Sequence, residues 1–135
     1  MADNFNFELV SPERLLLSER VTEVVLPATE GEMTVMANHA PTMTTIKPGI
    51  VKVRSAGGAK ADYVVFGGFA DILPTGCTLL AESAVLVEDL SRDELSRRID
   101  NAKSELEDAV LHEHKSRLEQ FILDMTHIGG QVWDD

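Results

Sequence analysis

A chain of 135 residues with one cysteine, seven aromatic side chains and no long apolar run already lies outside several classes of protein. Cys77 cannot form an internal disulfide and is too few for a zinc site built on thiolates, so a reducing cytoplasm is the expectation. The apolar runs are a few residues long, far below the roughly 20 needed to span a bilayer. Met1 to Phe7 has neither the basic start nor the apolar core of a signal peptide. Positive charge is scarce as well: 12 Lys and Arg stand against 23 Asp and Glu, a formal net charge of -11. Such a surface repels phosphate backbones, and no nucleic-acid partner is expected.

What is present divides into two parts. Residues 1–87 carry 6 basic and 10 acidic side chains, whereas the shorter stretch 88–135 carries 6 basic and 13 acidic ones. The first part reads as short extended segments. Phe5, Phe7 and Leu9 alternate with Asn6 and Glu8, and apolar runs follow around Val21–Leu26, Met33–Met36, Ile50–Val53, Tyr63–Phe66, Phe69–Leu73 and Cys77–Leu80. Turn signals separate them at Ser11-Pro12, Pro27, Glu30-Gly31, Pro41, Pro48-Gly49, Gly57-Gly58, Gly67-Gly68 and Pro74-Thr75-Gly76. Short strands at this spacing predict an antiparallel β-sandwich or barrel over residues 1–88.

After Glu88 the apolar period changes from two to about 3.6. Ser91 and Glu94 stand at capping-box spacing, flanked by Leu90 and Leu95 at the spacing of a hydrophobic staple, so a helix begins there. Its stripe of Leu95, Ile99, Ala102, Leu106 and Ala109 loses phase near Val110 to Glu113, and a second stripe starts at Leu118, Phe121, Ile122 and Met125. The expectation for residues 89–135 is a helical hairpin, or else a bent helix, that ends at Gly129-Gly130. The fold class is therefore α+β.

The residues offer little for bond chemistry. His112 and His114 are two apart, which on a helix points them in different directions, whereas metal pairs use spacings of three or four, so no metal site is expected. The glycine pairs at 57–58 and 67–68 neither open a helix nor precede Gly-Lys-Ser/Thr, and they read as turns. Cys77 alternates with Leu79 without a neighbouring histidine and reads as a buried structural thiol. Ser11, Ser18 and Ser55 lack the surroundings of a nucleophile elbow. No catalytic constellation and no cofactor site emerges, and pattern alone points to an interaction module.

Three stretches say more. Leu9-Val-Ser-Pro-Glu13 opens the series; Glu30-Gly-Glu-Met33 is followed by Asn38-His-Ala-Pro41 and Ile46-Lys-Pro-Gly49; Gly67-Gly-Phe69 leads to Leu79-Leu-Ala-Glu82. In this order and spacing they resemble the epsilon subunit of the proton-translocating ATP synthase, the counterpart of the mitochondrial delta subunit. The resemblance implies a sandwich followed by a helical hairpin, in agreement with the two-part reading. It implies a non-catalytic central-stalk subunit that joins the gamma subunit to the membrane c ring and thereby couples proton flow to ATP synthesis. Such a subunit works peripherally at the cytoplasmic face of the bacterial inner membrane and is not an obligate homo-oligomer.

By the same resemblance Glu30, Gly31 and Glu32 face the polar loops of the c ring, while Ser11, His39 and Thr44 fall on the gamma-facing side. Contact of the C-terminal helices with the catalytic head is a further implied partner. Some family members bind ATP through an aliphatic residue, Asp, two variable residues and Arg-Ala; here the run is Leu90-Ser-Arg-Asp-Glu-Leu95, with Ser91 for the Asp and Glu94 for the Arg. ATP binding is not expected. The second helix is expected to be short and carries no Lys or Arg from Leu118 to Ile128, which speaks against inhibition of ATP hydrolysis. The other readings are a nucleotide-sensing or hydrolysis-inhibiting subunit of the same complex and an unrelated β-sandwich interaction module.

Overall fold

Three strands are far longer than the turn signals predict. The structure, a computed structural model, describes residues 3–133. It contains β1 (Phe5–Val10), β2 (Leu15–Ala28), β3 (Gly31–Met36), β4 (Thr42–Ser55), β5 (Lys60–Leu73), β6 (Gly76–Ala81) and β7 (Ala84–Leu86). A 3-10 turn over Val87–Asp89 leads to α1 (Arg92–Asp108) and α2 (His112–Trp133). Pro27, Pro48-Gly49 and Gly67-Gly68, read in the sequence as dividers, lie inside β2, β4 and β5. They bend strands and do not end them.

The reason is clearest at Gly67 and Gly68, whose φ angles of 103° and 156° are open to glycine and costly for other residues. A Cβ at Gly68 would overlap the carbonyl oxygen of Leu80, so the backbone of β5 passes directly against β6 only because no side chain intervenes. The register of β5 with β4 is unbroken through this point, with Ile46 facing Gly68 and Pro48 facing Phe66; it shifts instead between β2 and β4, where Val25 pairs with Lys52 but Ala28 with Ile46. A bulge of this kind turns the strand and increases its twist.

These bends allow the sheet to close. The order is β1-β6-β5-β4-β2-β3, and β1 pairs with β2 as well, so five strands form a ring with β3 and β7 attached at its sides. All pairings are antiparallel except β1 with β6, which is parallel. The sandwich is thus a flattened barrel, a closure that removes sheet edges. The alternation of Phe5, Phe7 and Leu9 does what period two requires, since all three point inward, joined by Val21, Val24, Leu26, Val53, Ile72 and Leu79.

The helices begin and break as the pattern predicts. Ser91 Oγ accepts the backbone N–H of Glu94 at 3.0 Å, and Leu90 and Leu95 are both buried. The Glu94 carboxylate lies 3.5 Å from Arg98, so the side chain that a capping box would return to the N-cap is engaged one turn further on. The phase change falls at Ala109–Leu111, between α1 and α2. The expected end at Gly129-Gly130 is not where the chain stops: α2 runs through both glycines to Trp133 and, at 22 residues, is not short. A Cβ at Gly129 would come within 3.3 Å of Leu95 Cδ2, so this glycine serves helix packing, not helix termination.

A second core joins hairpin to barrel. Val64 and Phe66 of β5 pack with Leu90, Leu95, Met125 and Ile128. Each such side chain, when fully buried, contributes about 1.5–3 kcal/mol, so the docked position is held mainly by apolar contact. Asp124, the buried carboxylate of α2, accepts a bond from Gln120 Nε2 at 3.0 Å.

Candidate functional site

Cross-strand register assembles an exposed apolar row on the outer face of the barrel. Leu15 pairs with Val10, Val10 with Leu80, Leu80 with Phe69, and Phe69 with Thr45. Directly paired residues point to the same side of a sheet, so these five form a line about 19 Å long at the usual strand spacing. Leu15 and Leu80 are half exposed, and Phe69 is 36% exposed. The adjoining row of Ser18, Glu8, Thr78, Asp71 and Met43 is mostly polar, although Met43 is 66% exposed. An apolar stripe bordered by polar residues is the anatomy of a protein-docking surface. The sequence does not announce this stripe, because Leu80 and Phe69 each belong to runs that also supply the core; only the register sorts inward from outward residues.

Ser11, His39 and Thr44, expected on one face, are not gathered into one cluster. Ser11 follows Val10 in a turn closed by the Ser11 N–H donating to the Arg14 carbonyl at 2.9 Å and the Arg14 N–H donating to the Ser11 carbonyl at 3.3 Å. Thr44 stands next to Thr45 on β4 but pairs with buried Ala70, so its side chain takes the opposite side of the strand. His39 is in the turn before β4, its Nδ1 2.7 Å from the Ala40 carbonyl, which makes that nitrogen the protonated donor.

Glu30, Gly31 and Glu32 are all exposed and mark the turn between β2 and β3, where Ala28 pairs with Gly31 across Thr29 and Glu30. Gly31 has φ 130° and a Cβ added there would meet nothing within 4 Å, so glycine is needed for backbone conformation and not for space. The Thr29 N–H donates to the Thr45 carbonyl at 3.2 Å and ties this hairpin to β4. Glu32 also lines a cleft of about 180 Å³ with Lys47, Lys52 and, from α2, Asp124 and His127.

Elsewhere the groups that invite chemistry have structural surroundings. Burial, reinforced by the charge of Asp71, pushes the Cys77 thiol up to about 12. Burial, with Glu19 adding to it, raises Tyr63 as well. His114 Nε2 is 3.5 Å from Glu105 of α1, an interhelical contact. Among the described residues no group of three or more His, Cys, Asp or Glu could hold a metal ion. Among the described residues no helix is long and apolar enough to cross a membrane.

Comparison with known proteins agrees with this architecture. Residues 4–87 match the family model described as ATP synthase, Delta/Epsilon chain, beta-sandwich domain. An ATP synthase epsilon chain of Rhizobium etli is 81% identical over the whole of both chains, and one of Rhizobium meliloti is 69% identical over 98% of each. Among solved structures, a chain in the Euglena gracilis mitochondrial ATP synthase, in an assembly with OSCP, F1 and the c-ring, aligns with a TM-score of 0.75 and 25% identity. That alignment covers 95% of this chain and 80% of the other. A barrel, a hairpin and full-length identity of this degree leave one assignment: the chain belongs to the family of ATP synthase epsilon chains.

Proposed function

We propose that the chain is the non-catalytic clamp of the central stalk, fastening the gamma subunit to the c ring so that rotation of the ring turns gamma. The observation that carries this reading is the exposed row Leu15, Val10, Leu80 and Phe69, an adhesive strip on a rigid closed barrel. Torque passes through a body only if that body deforms little, and a densely packed, hydrogen-bonded barrel has low compressibility. The gamma subunit takes the strip, with Ser11 at its end and His39 from the turn before β4, while Thr44, whose side chain takes the opposite side of β4, contributes backbone position and not a side-chain contact. The β2–β3 turn with Glu30, Gly31 and Glu32 takes the polar loops of the c ring; an exposed carboxylate there orients a rim contact while adding little to folding. The subunit works peripherally at the cytoplasmic face of the bacterial inner membrane and reaches the membrane through its partners.

Neither nucleotide binding nor inhibition through the tail is part of this reading. Ser91 is occupied as N-cap, and Glu94 pairs with Arg98 where a nucleotide phosphate would need a cation. Reconstitution tests the proposal. Membranes depleted of this chain should lose ATP-driven proton pumping and regain it on addition of the parent chain, whereas Glu32→Lys should restore assembly but only part of the pumping. Full pumping without the chain would refute the clamp, and full pumping with Glu32→Lys would refute the ring contact.

A further inference from the structure

The outer row does not end at the barrel. Beside Phe69 and Thr45 opens a groove of about 480 Å³ whose other wall is Phe121 of α2. Its floor passes over Gly67 and Gly68, where the chain has no side chains, and Pro48 continues it toward the helix. One charged residue, the exposed Glu82, stands on the wall; its backbone N–H is fixed to the Gly67 carbonyl at 3.0 Å. A partner lying on Leu80 and Phe69 therefore has an unbroken apolar path from the barrel onto the hairpin.

We propose that the gamma-docking surface continues through this groove onto Phe121, so that one apolar segment of gamma, carrying a basic side chain opposite Glu82, clasps both halves of the chain. The inference rests on the reading of the outer row as the gamma surface. Continuity selects the occupant: the groove shares Phe69 and Thr45 with the row, and a body seated on the row covers its mouth. The groove also explains why Phe121 stays partly exposed on a helix whose Met125 and Ile128 are sealed in the second core. Gamma binding then favours the docked hairpin, since the complete surface exists only while α2 lies against the barrel.

Hydroxyl-radical footprinting of the full chain, free and with purified gamma subunit, tests this directly. The expected result is a severalfold drop in modification at Phe121 together with Phe69 and Met43, with exposed Leu111 of the interhelix turn unchanged as a control. Protection of Phe69 without Phe121 overturns the inference while leaving the sheet surface intact. Protection of neither overturns both readings. Protection of Leu111 along with Phe121 shows the hairpin moved as a whole, which also rejects the groove. In parallel, Phe121→Ser should raise the Kd for gamma about tenfold and Phe121→Leu should recover most of the affinity; equal affinity of Phe121→Ser and the parent contradicts the groove contact.

Discussion

The guanidinium of Arg98 on α1 lies over the ring of Phe66 on β5, 3.9 Å from the ring centroid. It ties helix to barrel at the place where the second core begins. Glu94 holds the same guanidinium from within the helix at 3.5 Å, and the Nε atom is buried without a hydrogen-bond partner. The contact therefore combines cation–π attraction and packing of the aliphatic stem with an imperfectly satisfied donor.

Arg98→Ala should weaken docking by about 1–2 kcal/mol, the usual size of a partly desolvated cation–π contact with its packing. The barrel itself should remain folded. Hydrogen exchange checks this: amides of α1 and α2 should exchange severalfold faster, those of Val51 and Val53 in the barrel core unchanged. Uniform acceleration across the barrel would show that Arg98 supports the whole fold.

Gly68→Ala tests the bend that closes the barrel. A methyl group there meets the Leu80 carbonyl at a φ that alanine adopts only under strain, and a loss of about 2 kcal/mol or more is expected. Urea denaturation should show it as a lower midpoint with the slope retained. An unchanged midpoint would mean that β5 and β6 can separate locally without loss.

Cys77 predicts an alkaline weakness. Its thiol is raised from 9.0 to about 12 in the folded chain, chiefly by burial. Below pH 9 both states hold the proton and the group has no effect on stability differences. Between about 9 and 12 the unfolded chain releases the proton while the folded chain keeps it, so stability falls as pH rises. Cys77→Ala should flatten the decline between pH 9 and 11 in urea titrations, after allowance for the small cavity it leaves. An equally steep decline would mean that other groups cause it.

Removal of residues 89–135 should leave the barrel folded, because its own core contains no residue of α1 or α2. The proposed boundary at 88 falls between β7, which ends at Leu86, and α1, which starts at Arg92. The cut exposes Val64 and Phe66, so reduced solubility is expected with cooperative unfolding preserved. Loss of a cooperative transition would show that the hairpin is part of the folding unit.

Much of this architecture is legible because local signals agree with global ones. The alternating Phe5, Phe7 and Leu9, the cap at Ser91 and the phase slip near Val110 each specify their elements without help from distant residues. The interior of β4 and β5 is not legible in that way. Pro48-Gly49 and Gly67-Gly68 carry the composition of turns, and only the unbroken register between β4 and β5 shows that both strands run through them. Gly129-Gly130 misleads for a related reason: glycine at a helix end and glycine at a helix crossing look alike until Leu95 is placed beside it. The candidate surface was hidden most completely, since the strands alternate without saying which phase faces out at Leu80 and Phe69.

The clamp reading stands or falls on the outer row. Titration calorimetry of purified gamma subunit into the full chain measures it, comparing the parent with Leu80→Arg, a half-exposed position where a charge leaves the free fold intact. Burying that unpaired charge at an interface costs several kcal/mol, and the predicted result is a loss of binding of about a hundredfold or more, with the thermal unfolding of the free chain unchanged. Equal affinity of the two chains for gamma would contradict the account.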